Sequence, residues 1–307
     1  MNAASLLPDG LLFFERGWLS SNNVLLMDER QGCLIDTGYW THAPQTVALV
    51  EGALGERSLT RILNTHLHSD HCGGNAALQA RYPSVHTAVP PGHACHVFDW
   101  DPAALTYTPT GQHCPPFRAD DVIRPGDVLE FGHMLWEVHA APGHDPHSVI
   151  FYCPEHGVLI SADSLWENGF GVVFPELEGV SAFDEVADTL TVIERLNPRV
   201  VLPGHGAPFT DVSGALQRAR QRLMDFRQSP AKHAQYAAKV LLKFKLLELQ
   251  RVACAQFLQW AADSSYLQTI HGRWGMSRPI HTWLGELIQQ LEKSQVARME
   301  GEYLVNI

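Results

Sequence analysis

The sequence predicts an α/β (α+β) protein in which β-sheets are covered by helices and which ends in a mostly helical region. Over the first two thirds of the chain, short apolar runs that end in turn residues alternate with amphipathic segments. That alternation is typical of sheets packed against helices. After about residue 215 the pattern changes to long helical periods rich in alanine, leucine and lysine.

The predicted elements of the first part follow one another closely. The segments NNVLLMDE and GCLIDTG predict a β-hairpin that turns at 29–32, and QTVALVEGAL predicts a helix. LTRILNTH predicts a buried strand, after which NAALQARYP begins a helix. Four more strands are predicted in VLEFG, LWEVHAAPG, SVIFYCPEHG and VLISAD. AFDEVADTLTVIERL predicts an amphipathic helix, and RVVLPGHG predicts a last strand that leads into a histidine.

The C-terminal region is predicted to consist of helices and one hairpin. Residues 231–262 predict one long helix, or two joined at a kink, with an apolar stripe that includes Val240, Phe244, Leu247 and Phe257. RPIHTWLGELIQQLEKSQ predicts another helix, and VARMEGEYLVNI predicts a strand–turn–strand, an arrangement similar to a winged helix. We therefore divide the chain into domains of residues 1–212 and 213–307.

The charge is distributed unevenly over 307 residues with a net charge of −11. Residues 1–209 contain 25 acidic and 9 basic residues, a net −16, whereas residues 210–307 contain 8 acidic and 13 basic residues, a net +5. A domain at −16 repels polyanions, so nucleic acid is disfavoured as a partner and a small-molecule substrate is expected. The oligomeric state, including a homodimer, stays open.

The sequence predicts a cytoplasmic protein without membrane contact. No apolar run approaches the roughly 18 residues of a membrane span, and the first residues lack a basic stretch followed by an apolar core and a cleavage site. The six cysteines have no C-x-x-C spacing, which argues against a disulfide framework and a cysteine-based zinc site. We expect Cys72 to pack in the interior, with a redox or ligand role as the alternative.

Four potential metal ligands lie within the segment LNTHLHSDHCGG: His66, His68, Asp70 and His71. Imidazole and carboxylate together suit zinc and iron. Side chains at positions i and i+2 of an extended segment point the same way, so the first two histidines can hold one ion. Asp70 and His71 lie where the chain turns into a helix and can face a second ion. The two glycines allow a tight turn and a close approach of the chain.

Three more strand ends carry a residue of the ligand type. His144 lies in APGHDPHS, Asp163 in SADS and His205 in LPGHG, each in a turn that follows an apolar strand. A single histidine in such a place is more often a hydrogen-bonded polar residue than a ligand. Seven such residues at corresponding strand ends favour a metal site.

These motifs, in this order and together with LIDTG, resemble those of the metallo-β-lactamase-fold hydrolase superfamily over about residues 10–210. The resemblance implies a four-layer αββα sandwich. It also implies two divalent metal ions, Zn²⁺ first and Fe or Mn as alternatives. By the resemblance the first ion is held by three histidines and the second by three residues, with one bridging aspartate: His66, His68 and His144; Asp70, His71 and His205; Asp163. Asp36 is implied to orient the ligands from behind.

The chemistry that such a site supports is hydrolysis. Two ions about 3.5–4 Å apart lower the pKa of a bridging water from about 15.7 toward ~7, so hydroxide forms at neutral pH. We expect Asp70 and Asp163 to be the catalytic carboxylates, with Asp70 holding the nucleophile or taking part in proton transfer.

Residues near the motifs are candidates for contacts with the ligands or the substrate. His147 is expected to support a ligand from behind or to contact the substrate, with a structural hydrogen bond as the alternative. Trp166 and Phe170 are candidates for an apolar substrate wall, with core packing as the alternative. Residues 90–117 predict a proline-rich surface loop over the site rather than a separate metal site built from His93, Cys95, His96, His113 and Cys114.

Three functions remain in view. The first is hydrolysis of a small ester, thioester or lactone; glutathione thioesters are in doubt because HGAPFTDVSGAL lacks the basic and tyrosine residues of the glyoxalase II type. The second is an endoribonuclease or phosphodiesterase that uses Arg218, Arg222, Lys243 and Lys245. The third is a regulatory binding module with a structural metal. Persulfide dioxygenases, which use one iron and not the full ligand set, match less well. Antibiotic hydrolysis is disfavoured because a cytoplasmic protein is predicted and the chain carries a long C-terminal extension.

Overall fold

Two β-sheets stack face to face in the first two thirds of the chain. The computed structural model describes residues 6–274 and 277–307, so the first five residues, which belong to the N-terminal segment considered for a leader, lie outside the described residues. The first sheet has six strands in chain order: β1 (Leu11–Phe14), β2 (Asn23–Met27), β3 (Gln31–Ile35), β4 (Ser58–Leu63), β5 (His86–Val89) and β6 (Asp121–Val122). The strands β1 to β3 pair antiparallel, which confirms the predicted hairpin, and β3 to β6 pair parallel.

Parallel neighbours need a crossover, and helices supply it. A 3₁₀ turn (Trp40–His42) and α1 (Ala43–Leu54) connect β3 to β4, and α2 (Ser69–Cys72) and α3 (Asn75–Arg81) connect β4 to β5. The segment predicted as a surface loop contains two short helices, α4 (Ala94–Phe98) and α5 (Tyr107–Thr110). It has its own small apolar core, which includes Leu105, Tyr107 and Phe117.

The second sheet has five strands in the order β11-β10-β9-β8-β7. They are β7 (Val128–Phe131), β8 (Met134–Ala140), β9 (Val149–Cys153), β10 (Val158–Ala162) and β11 (Val200–Pro203). Only β10 and β11 are parallel, and α6 (Phe174–Glu178) and α7 (Phe183–Leu196) lie between them in the chain. The strands predicted in this part of the sequence are confirmed.

Alternating side chains of both sheets build four layers. Leu26 and Ile35 of the first sheet share one buried cluster with Phe151 and Ile160 of the second. Their sequence neighbours point the opposite way, because successive side chains of a strand alternate. Leu25, Leu34 and Ile62 pack under α1 and α3, and Ile150, Leu159 and Val201 pack under α7 and α8 (Val212–Gln228). This is the αββα sandwich that the resemblance implied.

The C-terminal region has the predicted helices and terminal hairpin. It contains α9 (Pro230–Leu249), β12 (Arg251–Ala253), α10 (Cys254–Asp263), α11 (Ser265–Arg273), α12 (Ile280–Lys293), β13 (Ala297–Glu300) and β14 (Tyr303–Asn306). The strands form a small sheet in the order β12-β14-β13, and the likeness of this region to a winged helix stays a prediction. The division at residue 212 stays a prediction. Helix α8, which begins at this boundary, packs against α7 of the first part of the chain.

The expected continuous or kinked helix over 231–262 is wrong in one respect: a strand separates two helices. Gln250 adopts φ +60°, which ends α9, and β12 then pairs with β14. The apolar stripe also divides, because Phe257 is fully buried in the C-terminal core whereas Val240, Phe244 and Leu247 are only half-buried. No helix among residues 6–274 and 277–307 is long and apolar enough to cross a membrane.

Candidate metal centre

The H-x-H-x-D-H segment lies where β4 leaves the first sheet. His66 and His68 follow the strand, and Asp70 and His71 belong to α2. The two glycines that follow adopt right-handed helical backbone angles, so close approach rather than an unusual turn explains them. A Cβ at Gly73 would lie 2.6 Å from the backbone nitrogen of Trp40, and one at Gly74 would collide with the carbonyl oxygen of Thr37.

All seven predicted ligands converge at one place. Their candidate ligand atoms form three overlapping groups, each within 4.8 Å: His66, His68 and His144; His66, His71 and Asp163; Asp70, His71 and His205. Two contacts link the distant strand ends. Nε2 of His144 lies 2.8 Å from Nδ1 of His68, and Nε2 of His205 lies 3.1 Å from Oδ2 of Asp70. Asp163 lies 3.4 Å from His144 through Oδ2 and 3.5 Å from His71 through Oδ1, between the groups.

Neighbouring groups fix the orientation of the imidazoles. Nδ1 of His71 lies 2.8 Å from Oδ2 of Asp36, and Asp36 accepts further hydrogen bonds from the backbone N–H and the hydroxyl of Thr65. Nδ1 of His144 donates to the carbonyl of Val172 at 2.5 Å. Such contacts direct the other ring nitrogen toward the centre, as supporting residues do at metal sites. Asp36 therefore contacts His71, one of the residues that the resemblance implies it orients.

The residues fit divalent cations. Among the described residues, Nε2 of His66 and Nε2 of His71 are buried without a hydrogen-bond partner. Eight other buried side-chain polar atoms of the described residues also lack a partner, but these two nitrogens belong to the ligand groups, where metal ions would supply the missing partner. Two carboxylates, Asp36 and Asp163, are buried around them and a third, Asp70, is half-buried, and buried charges require compensating charge.

The electrostatics agree with this fit. Burial and the neighbouring histidines hold the pKa of His66 well below its usual range, and burial lowers the pKa of His68 to about 4, so both rings are neutral at pH 7. Burial opposes protonation of His71, but Asp36, Asp163 and Asp70 outweigh it and raise its pKa. The same carboxylates that attract this proton would stabilise a metal cation. The cluster therefore suits divalent metal ions.

The other predicted contacts differ in their positions. Trp166 lies at the cluster, with Nε1 donating to Oδ1 of Asp163 at 3.2 Å and its ring 5.5 Å from that of His205. Phe170 as a substrate wall is wrong: only 1% of it is exposed, and it packs against Phe226 in the core under the second sheet. His147 belongs to none of the three ligand groups, and its ring lies 4.7 Å from that of His93.

The cysteine and histidine residues of 90–117 form no ligand group among the described residues. Cys95 is exposed, and Cys114 is buried with its Sγ 3.9 Å from Sγ of Cys72. Cys72 is also within 3.2 Å of the Tyr107 hydroxyl, which agrees with packing as its role. Thr106, Thr110 and Gln112 of this segment line the same cavity as the cluster.

A cavity of about 580 Å³ opens onto the cluster. Its lining includes five of the ligand residues, which leaves positions for a substrate: His68, Asp70, His144, Asp163 and His205. Two aromatic residues at the edge of the cavity were not predicted as site residues. Trp18 is 58% exposed and stacks on His205 at 5.3 Å, and Phe174 lies edge-on to His68 at 5.0 Å. The position of Trp18 in a turn could have indicated an exposed aromatic side chain, but not that this side chain stacks on His205.

The basic residues considered for RNA binding are engaged within the protein. Arg218 donates to the carbonyl of Glu167 and to Asp211, and Arg222 donates to the carbonyl of Phe170. Lys243 donates to the carbonyls of Val296 and Ile307 and to Asn306. Lys245 donates to Glu248 and to the carbonyl of Gly111.

The fold combines an αββα sandwich with a His/Asp cluster suited to metal ions, and comparison with known families identifies its family. The family model described as the metallo-beta-lactamase superfamily matches residues 16–205. The chain therefore belongs to the metallo-beta-lactamase superfamily.

Individual relatives include proteins with different activities. The chain is 33% identical to a hydroxyacylglutathione hydrolase of Rhodobacter capsulatus over 173 residues, which are 55% of this chain and 57% of that protein. It is 28% identical to the human mitochondrial persulfide dioxygenase ETHE1 over 144 residues, 47% of each chain. It thus spans about half the length of these curated relatives.

One solved structure matches the fold along nearly the whole chain. The metallo-beta-lactamase family protein TTHA1429 from Thermus thermophilus superimposes with a TM-score of 0.57 at 20% identity, covering 98% of this chain and 100% of that one. The similarity concerns the fold, including the C-terminal helical region.

Proposed function

We propose that this protein is a metal-dependent hydrolase that holds two divalent ions and cleaves an ester, thioester or lactone. One observation carries the proposal: a complete second ligand group, Asp70, His71 and His205, lies beside the three histidines of the first. Asp163 contacts residues of both groups, which favours a bridging position between two ions. Zn²⁺ is the first candidate because imidazole and carboxylate suit it, with Fe and Mn as alternatives.

The residues of the chain have separate tasks in this proposal. Bound divalent ions supply a Lewis acid and a water of lowered pKa at neutral pH. Asp70 lines the cavity, so its carboxylate can accept a proton from the attacking water. Trp166 orients Asp163 through its indole N–H. Hydrolysis adds water across the acyl bond, so one product is a carboxylic acid and the other is the thiol or alcohol.

The alternatives have weaker support. A persulfide dioxygenase activity, as in the human relative, would not require the second ligand group if it uses one iron. A phosphodiesterase or endoribonuclease needs free cationic surface, and the four basic residues considered for it are held by internal contacts. A structural metal would be closed off by protein ligands, whereas five of the ligands line an open cavity.

Elemental analysis of untagged protein, paired with a substrate panel, tests the proposal. The panel contains thioesters, lactones, phosphodiesters, RNA and a persulfide. About two ions per chain with turnover of a thioester or lactone is the expected result. One iron per chain with oxygen consumption on the persulfide would replace the hydrolase by a dioxygenase. Cleavage of RNA that weakens steeply with salt would select the nuclease.

A further inference from the structure

Helix α9 of the C-terminal region presents one face to the metal cavity. The residues of this face, which we call the α9 cavity face, are spaced by three and four positions: Tyr236, Lys239, Val240, Lys243, Phe244 and Leu247. This spacing places side chains on one side of a helix. From the first to the last of them the helix rises about 16 Å at 1.5 Å per residue.

The opposite side of α9 already forms the C-terminal core. Ala234, Ala237, Leu242 and Leu246 are fully buried there. A helix that only covers a core needs one apolar stripe, with polar residues opposite. Val240, Phe244 and Leu247 give α9 a second apolar stripe that is half-buried and lines a cavity. Val240 also packs against the C-terminal core, and Phe244 lies edge-on to the ring of Tyr39 at 5.1 Å, but both line the cavity together with Leu247.

Other apolar residues extend this wall. Leu291 of α12 and Val296 beside β13 line the same cavity as the α9 cavity face, and Phe174 lines it near His68. A cavity of about 580 Å³ with a mainly apolar lining and a few polar groups is of the kind that binds small organic molecules, commonly ~300–1,000 Å³. The apolar lining requires an apolar part in the ligand.

Cations lie at the Tyr236 end of the α9 cavity face. Arg222 lies 5.5 Å from the centre of the Tyr236 ring, and Lys239 is in the next turn of the helix. Lys239 has no hydrogen bond or ion pair with any residue in the described parts of the chain, unlike Lys243, which three acceptors hold. Outside the metal cluster, Glu167 is the one carboxylate residue in the cavity lining of the described chain. A negatively charged group fits this end.

We propose that the substrate is an acyl thioester or ester with a long apolar acyl chain and an anionic leaving group. The acyl chain lies along Val240, Phe244 and Leu247, and the anionic group lies at Lys239. This substrate class rests on the hydrolase function proposed above. Water cleaves the acyl–sulfur or acyl–oxygen bond, and the products are a fatty carboxylate and an anionic thiol or alcohol.

The test uses the metal-loaded full chain and two series of thioesters. Acetyl, butyryl, octanoyl and dodecanoyl groups are attached to mercaptopropionate, which is anionic, or to mercaptoethanol, which is neutral. We expect kcat/KM to rise about two- to fourfold per added methylene up to octanoyl, because burying a CH₂ group is favourable. The mercaptopropionate series should exceed the neutral series by about tenfold, as expected for a hydrogen bond to a charged group.

Matched variants separate the two parts of the proposal. Leu247→Trp narrows the apolar wall and should remove the gain in kcat/KM with chain length, whereas Leu249→Trp, on the exposed side of the same helix, should preserve it. Lys239→Gln should remove the preference for mercaptopropionate, whereas Lys232→Gln, at an exposed position of α9, should preserve it.

Binding distinguishes failure of the substrate class from failure of the hydrolase. Displacement of a fluorescent fatty acid by dodecanoate measures occupancy of the cavity without turnover. Acetyl thioester turnover with neither chain-length gain nor dodecanoate binding would overturn the long-chain assignment and leave the hydrolase intact. Dodecanoate binding that Leu247→Trp weakens, without turnover of any ester or thioester, would support the acyl site and overturn the hydrolase.

Discussion

Oδ2 of Asp36 lies 2.8 Å from Nδ1 of His71, and Asp36 holds this contact from a left-handed backbone conformation, φ +57°. Both side chains are buried. The contact aims Nε2 of His71 at the centre of the cluster, where that nitrogen is without a hydrogen-bond partner in the described part of the chain. A residue at the end of β3 thereby positions a ligand in α2.

Replacing Asp36 with asparagine should weaken metal binding about 10- to 100-fold, because supporting partners of ligating histidines have effects of this size. Asparagine tolerates the left-handed conformation, so the backbone is retained. Competition with a chelator measures the affinity, and Asp188→Asn, at an exposed position of α7, is the control. Unchanged affinity in Asp36→Asn would show that His71 does not need this partner.

Replacing Asp163 with asparagine should lower kcat/KM for hydrolysis by about 10³-fold or more. Catalytic groups that act as a unit depend on one another, so the loss of one removes most of the contribution of the whole unit. Asp163 contacts residues of both ligand groups. The measurements are kcat/KM and metal content, with Asp188→Asn on the exposed side of α7 as control. Retained activity with full metal content would contradict the bridging role.

Replacing Gly74 with alanine should lower the free energy of unfolding by about 1–3 kcal/mol, as overpacking does. The new Cβ would meet the Thr37 carbonyl oxygen and lie 3.1 Å from its Cβ. Gly52→Ala is the matched control in α1, where nothing lies within 4 Å; it should raise the free energy by about 0.5–1 kcal/mol. Urea unfolding of chelator-treated protein compares the two, and an equal effect would exclude the steric explanation.

Stability should fall in acid partly through His233. Burial lowers its pKa from the ordinary 6.5 to about 4, and its Nε2 accepts the N–H of Val173 at 3.1 Å. Below pH 6.5 the unfolded chain binds a proton that the folded chain excludes, so stability present above pH 6.5 is lost progressively down to about pH 4. The loss from this group is about 3 kcal/mol.

His233→Gln keeps a hydrogen-bond acceptor but has no titrating ring. The free energy of unfolding of this variant should therefore depend less on pH between 6.5 and 4 than that of the parent protein. The comparison is made by urea unfolding at several pH values, and the other histidines contribute equally to both proteins. Parallel curves for the two proteins would show that His233 does not exclude the proton.

The strands, the helices and the candidate ligand residues could be predicted because they depend on local patterns, whereas the four-layer sandwich was implied by the resemblance. Alternation in β9 and β10 separates Phe151 from Ile150 and Ile160 from Leu159, which face different layers. The ligands stand at strand ends, in turns whose glycines allow close approach. Gln250 could not be foreseen as a helix end, because the pairing of β12 with β14 stabilises the break.

By itself, the sequence determined the residue types and spacing of a metal site: His66, His68, Asp70 and His71 in one segment, and His144, Asp163 and His205 at later strand ends. Only the tertiary structure decided what surrounds that site. Phe170 and Phe244 are the same residue type, yet one is buried in the core and the other lines the cavity. The reason is that strand and helix periods are local, whereas the side of α9 that faces the metal centre depends on how distant parts of the chain pack together.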